Sequence, residues 1–219
     1  MKRQPAKSQS SLVAALVVGM VVLCALAVFA NLFASPPIPA AIAEPVKREQ
    51  APNTFLYFAY ASDLLESRLK SGGGPSAEFV GMGKVRYRRF AYSQESKVWK
   101  GGVADIVLSN DEGEEVYGVV YRLRDEDLSS MDKQKGVGKT NPLYERISVM
   151  VETTDGTLEC ISYAMVESRR DVVGFSPSIQ YRKCILNGAK QAKLPKPYIK
   201  QLERIKDNGN AYERRGVSC

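Results

Sequence analysis

The sequence predicts an α+β protein: mostly antiparallel β structure with a few short helices, behind an N-terminal transmembrane helix. Three observations predict it. Stretches of strand character recur at 55–60, 78–92, 102–109, 115–123, 143–153 and 157–166, several of them separated by turn signals. The helical signals between them are short and capped. Residues 12–30 form an apolar run without a charge.

That run, LVAALVVGMVVLCALAVFA, is followed by Asn31 and then Leu32-Phe33-Ala34. A helix needs about 20 apolar residues to cross the hydrocarbon layer. The run is longer than the hydrophobic part of most cleaved signals, about 7–15 residues. An uncleaved signal anchor over 12–34 is therefore favoured. Cleavage after an A-x-A-like site, Ala25-Leu26-Ala27 or Ala41-Ile42-Ala43, is the alternative and would give a secreted protein. Lys2, Arg3 and Lys7 make residues 1–11 a basic cytosolic end, which sends the rest of the chain to the luminal or extracytoplasmic side. Residues 35–53, rich in Pro and Ala, read as a tether. A globular domain follows over 54–208, then a tail, 209–219.

Within the domain, FLYFAY (55–60) has strand propensity and runs through Ala61-Ser62-Asp63 into LLESRLK, where Leu64, Leu65 and Leu69 mark a helical face. Ser71-Gly72-Gly73-Gly74-Pro75 stops that helix. The turns Asn110-Asp111-Glu112-Gly113 and Thr154-Asp155-Gly156 separate strand pairs, 125–134 is a short capped helix, and Ile199, Leu202 and Ile205 give 194–207 helical spacing. There is no internal repeat.

Composition excludes whole chemistries. The 219 residues contain no histidine, so there is no Ser-His-Asp or Cys-His catalysis and no His-ligated zinc. Acid–base work falls to carboxylates, lysine or tyrosine. Five of the 31 basic and two of the 24 acidic residues precede residue 50, which leaves the remainder at net +4. That excess is scattered, apart from Arg86-Tyr87-Arg88-Arg89, so nucleic acid is not an expected partner. Of the four cysteines, Cys24 lies in the apolar run, Cys160 and Cys184 are able to pair, and Cys219 is terminal.

Two local patterns invite chemistry. GVGKT (136–140) imitates a phosphate loop, but the position that needs the first Gly is Lys133 and a helix, not a strand, precedes it. The turn at 60–63 is different: a strand entering a helix start aims backbone N–H groups at one spot, suited to a carboxylate or an oxyanion. Ala61 carries a Cβ, which disfavours positive φ there.

FLYFAYASDLL (55–65) resembles the opening signature of the γ-glutamylcyclotransferases, FAYGSNLL. The resemblance continues in order. It runs through Trp99–Ile106 on the family's W-x-G-G-I-A strand, Glu115–Tyr121 on E-V-W-G-V-V-W, and Leu128–Val137 on L-x-x-L-D-x-Q-E-G-V. Cys160–Tyr163, Pro177–Tyr181 and Gly188-Ala189-Lys190 before Leu194-Pro195 also correspond. It spans about residues 55–205 and leaves out the apolar N-terminus.

The resemblance implies a small β-barrel with helices packed around it, no cofactor and no metal. It implies as partner a small γ-glutamyl-amino acid or peptide, cyclised to 5-oxoproline with release of an amino acid or peptide. It further implies that Tyr57, Phe58, Ala59, Tyr60, Ala61 and Ser62 line the substrate pocket, with Tyr144, Tyr163 and Tyr181 as phenol walls or hydroxyl donors. Core packing is the competing reading for these tyrosines.

Three positions depart from the family pattern. The proton-accepting Glu falls on Lys135, the turn Gly on Ala61 and the turn Asn on Asp63. A protonated lysine cannot accept a proton. Lys135 is therefore either a base made so by burial, a partner for a substrate carboxylate, or one half of a swapped pair with Asp63. Asp132 and Glu145 are the other nearby carboxylates; Asp132 is expected to face away and Glu145 to point to the opposite side of its strand from Tyr144. Three expectations follow: an enzyme with altered catalytic groups, a pseudoenzyme that binds without turnover, or, with less support, a structural surface protein.

Overall fold

The computed structural model describes residues 51–171, 173–211 and 219. The apolar run expected to form a membrane anchor, residues 12–34, lies outside them, as does nearly all of the tether. Among the described residues no helix is long and apolar enough to cross a membrane.

Five strands close into a barrel in the order β1 (Thr54–Ala59), β5 (Glu115–Arg124), β2 (Glu78–Arg86), β6 (Tyr144–Thr153) and β7 (Gly156–Met165). Neighbours are antiparallel except where β7 returns beside β1, a parallel contact at Tyr57 and Ile161. β3 (Arg88–Ser96) and β4 (Gly101–Leu108) form a separate antiparallel ribbon. The sequence suggested one stretch over 78–92. The chain instead breaks at Tyr87, whose φ is 56°, and leaves the barrel for the ribbon. Left-handed backbone cannot continue a strand, so the break fixes where the barrel ends.

β1 is buried along Phe55–Ala59 because it is covered on both faces, and Val116, Val119, Val120 and Leu123 of β5 pack beside it. A 3₁₀ turn, Ser62–Leu64, then leads to α1 (Glu66–Ser71). α2 (Leu128–Lys135) ends at Gly136, whose φ of 77° forms a left-handed cap. α3 (Ile179–Gln191), the longest helix among the described residues, and α4 (Lys196–Arg204) pack outside. No helix was expected from the sequence over α3. Yet Tyr181, Cys184, Ile185, Gly188 and Ala189 are buried at helical spacing, and Ser178 caps its start by accepting from Tyr181 N.

Two glycine motifs have steric reasons. A Cβ on Gly188 would lie 2.6 Å from Leu64 C, so only glycine lets α3 approach the 3₁₀ turn. A Cβ on Gly101 would lie 2.9 Å from Pro177 C, where the segment before α3 crosses β4, and Gly102 N donates to Ser176 O at 2.8 Å. Cys184 is disulfide-bonded to Cys219, and Cys160 is free and buried, so the Cys160–Cys184 pairing that the sequence allowed does not form.

Candidate active site

A cavity of about 400 Å³ opens between the barrel end, the β3–β4 ribbon and the end of α2. Its wall begins with β1 and the turn after it. Tyr57, Tyr60, Ala61, Ser62 and Asp63 all face it. The turn is held from two sides: Tyr121 of β5 donates its hydroxyl to Leu64 O at 3.1 Å, and Gly188 lets α3 press on it from behind. Ala61 keeps a φ of −118°, so the turn forms without the left-handed backbone that its Cβ would resist. The N–H groups of Ser62 and Asp63 precede the first intra-turn bond, from Leu64 N to Ala61 O at 3.0 Å, and lie outside the ladder.

The centre of the cavity is an ion pair. Lys135 Nζ lies 2.6 Å from Asp63 Oδ2, and the same oxygen accepts from the Tyr57 hydroxyl at 2.9 Å. The Asp63 side chain is 3% exposed and that of Lys135 20%. Burial is the largest single influence on the Asp63 carboxyl and pushes its pKa up. The charges of Lys135 and Arg68 and the hydrogen bonds from Lys135 and Tyr57 together outweigh it and hold the carboxyl below its ordinary value. The Tyr57 phenol is raised by burial first and by Asp63 second, so it stays a neutral donor.

The remaining tyrosines are fixed by their hydroxyls. Tyr60 donates to Tyr163 O at 2.7 Å and Tyr144 to Ala104 O at 2.8 Å. Tyr163 donates to Asp132 Oδ1 at 2.8 Å, and Tyr181 accepts from Ala104 N at 3.2 Å. Burial raises the pKa of all four. They form a rigid, uncharged wall. Trp99 completes it, its ring centroid 4.6 Å from that of Tyr181. No cluster of His, Cys, Asp and Glu able to hold a metal occurs among the described residues.

The AIG2-like family model matches residues 115–202. A γ-glutamylcyclotransferase of Bos taurus is 38% identical over 166 residues, 74% of this chain and 84% of that protein. One from Homo sapiens is 36% identical over 160 residues, 71% and 80% of the two chains. A solved structure titled γ-glutamyl cyclotransferase superposes with a TM-score of 0.66 at 35% identity, over 73% of this chain and 92% of the other. The chain belongs to the γ-glutamylcyclotransferase family.

Of the residues that the family resemblance implied, the structure brings Tyr57, Tyr60, Ala61, Ser62, Lys135, Tyr144, Tyr163 and Tyr181 to the cavity. Phe58 and Ala59 do not reach it. Phe58 is fully buried with its ring against Gly118, and Ala59 is fully buried on β1. Strand alternation turns Phe58 away from the face that Tyr57 presents. Asp132 takes Tyr163 and Arg146, the latter at 2.5 Å, and Glu145 is exposed, so neither carboxylate lines the cavity. Sequence reasoning passed over Arg68, which lies in the wall from α1. Its signal was available: an arginine beside Leu69 on the buried face of a helix that starts at the signature turn.

Proposed function

We propose that the protein is a γ-glutamylcyclotransferase in which Asp63 replaces the family's glutamate as proton acceptor. One observation carries this: Asp63 is the only carboxylate among the described residues of the cavity wall, and it sits in contact with Lys135, where the resemblance expects that glutamate. Against the family pattern, the carboxylate has moved from the end of α2 to the signature turn, where the pattern has an uncharged Asn, and it has stayed in the pocket.

The reaction then proceeds within one substrate. The α-ammonium of the γ-glutamyl group docks against Asp63 and gives it a proton. The freed amine attacks the γ-carbonyl carbon, a C–N bond forms, and the carbonyl oxygen gains negative charge. Lys135 Nζ and the N–H groups of Ser62 and Asp63 are the donors available to that oxygen. The former amide C–N bond breaks as the oxyanion collapses and the leaving nitrogen takes the proton from Asp63. The new ring nitrogen then gives its second proton to the Asp63 carboxylate, which passes it to the departing amine, so that the products are 5-oxoproline and a free ammonium. No water is consumed. The tyrosine wall and Trp99 exclude solvent and hold the chain folded on itself.

A second reading, binding without turnover, is favoured by the ion pair itself. A carboxyl held below its ordinary value is a weaker base, and a general base contributes about 10²–10⁴-fold. The test is 5-oxoproline release from γ-glutamylalanine by the full chain, by Asp63→Asn, by Lys135→Glu and by the two combined. The enzyme reading expects turnover that Asp63→Asn lowers by about 10²-fold or more. The binding reading expects none until Asp63→Asn and Lys135→Glu are combined. Turnover undiminished in Asp63→Asn would refute Asp63 as acceptor. The anchor over residues 12–34, with the domain on the extracytoplasmic side, is part of the same proposal. A C-terminal tag shielded from protease on intact cells would overturn that orientation.

A further inference from the structure

The cavity holds more positive charge than its own acid balances. Asp63 faces Lys135, Arg68 and Lys139 across one wall. Lys139 is exposed and solvated. Arg68 is not: it is 8% exposed, and its guanidinium carbon lies 5.7 Å from the centroid of the Trp99 ring. Its Nε is buried without a hydrogen-bond partner, and Arg68 takes part in none of the ion pairs among the described residues.

A packing role does not account for this. An aliphatic side chain would cover Trp99 equally well without the desolvation of an unpaired cation. Asp63 feels the charge of Arg68, but its carboxylate is already taken by Lys135 and Tyr57. The planar fork is shaped for a carboxylate, and the Trp99 ring lies within cation–π distance of it. Next to it stands a carboxylate. Together they are complementary to a group that carries an anion and a cation on one carbon.

We propose that Arg68 is the carboxylate-binding residue of the cavity and takes the α-carboxylate of a γ-glutamyl ligand while Asp63 faces its α-ammonium. This deepens the reading of the previous subsection and rests on it for the γ-glutamyl class. It assigns the site a preference: substrates with a free α-carboxylate bind, and those amidated there do not.

Trp99 is the only tryptophan in the chain, so its fluorescence reports on Arg68 directly. The full chain is titrated with γ-glutamylalanine, the same compound with its α-carboxylate as the carboxamide, 5-oxoproline, 5-oxoproline amide and glutarate. The expected result is that each acid binds about 10-fold or more tightly than its amide, which corresponds to about 1.4 kcal/mol. Arg68→Gln abolishes that preference and Arg68→Lys retains part of it. A merely structural role would weaken acid and amide by the same factor, which overturns the proposal. Equal binding of acid and amide by the unaltered protein overturns it without any variant, as does no response to any acid. If glutarate or 5-oxoproline binds through Arg68 and γ-glutamylalanine does not, the carboxylate site stands and the γ-glutamyl reading falls.

Discussion

Two buried aspartates, each paired with a cation, show how differently one chain uses the same chemistry. Asp105 on β4 is fully buried, and Arg170 Nε meets its Oδ2 at 2.7 Å. Its Oδ1 accepts from Ile106 N and Met165 N, both at 2.8 Å. Backbone groups from two strands hold it, so it ties the ribbon to the barrel and has no capacity left for a ligand. Asp63 is held by side chains alone: Tyr57, Lys135 and, at 3.5 Å, Ser62. All three line the cavity. Side chains can turn aside when a ligand arrives, and backbone cannot. The number of main-chain donors on a buried carboxylate therefore separates a rivet from a receptor in this molecule.

The strongest challenge to that contrast is a pair of alanine substitutions. Asp105→Ala strands two backbone N–H groups and a guanidinium, and we expect a loss of about 3–5 kcal/mol in urea denaturation. Asp63→Ala costs clearly less, because Lys135 is part exposed and reaches water. Equal losses would erase the distinction. Gly188→Ala pushes α3 against Leu64 and displaces the turn that carries Asp63, leaving Asp105 untouched. It is expected to cost about 1–3 kcal/mol and to weaken ligand binding further than that loss of stability explains. Ser178→Ala removes the cap of α3 and costs about 1 kcal/mol by thermal melting.

The smallest effect lies in pH dependence. A carboxyl depressed in the folded state stabilises the fold above its unfolded value, about 3.9, and that contribution is lost as pH falls below it. Lys135→Met removes the largest of the influences that lower Asp63 and leaves burial opposed mainly by Arg68 and Tyr57. The rise in stability with pH through the region of about 4 is therefore expected to be shallower in Lys135→Met than in the unaltered protein. Parallel curves would mean that the pair does not persist in solution.

Much of this was legible in the sequence, for identifiable reasons. The signature at 55–65 gave β1 and the turn because an apolar run, a polar cap and a leucine face coincide within eleven residues. The departures at Lys135 and Asp63 pointed to each other as one of three options; the contact between them needs the barrel to bring residue 63 beside residue 135. Phe58 was placed in the pocket because a matched motif was read as one surface, whereas a strand divides its residues between two faces. Ala59 shares the face of Tyr57 but is fully buried short of the cavity. α3 was overlooked because its residues were read as motif fragments and not for their period. The break at Tyr87 had no local signal, since a tyrosine in left-handed backbone is set by tertiary contacts. Arg68 was passed over for a related reason: only the folded ribbon brings Trp99 over it.

The single parallel contact between β1 and β7 sets a condition on synthesis. Tyr57 and Tyr60 emerge from the ribosome about a hundred residues before Tyr163, whose carbonyl anchors Tyr60 and whose ring lies 5.9 Å from that of Tyr57. A nascent chain thus carries the signature turn long before it has an opposing wall. Contacts so distant in sequence form late, so a truncation before β7 leaves no partial binding capacity to assay.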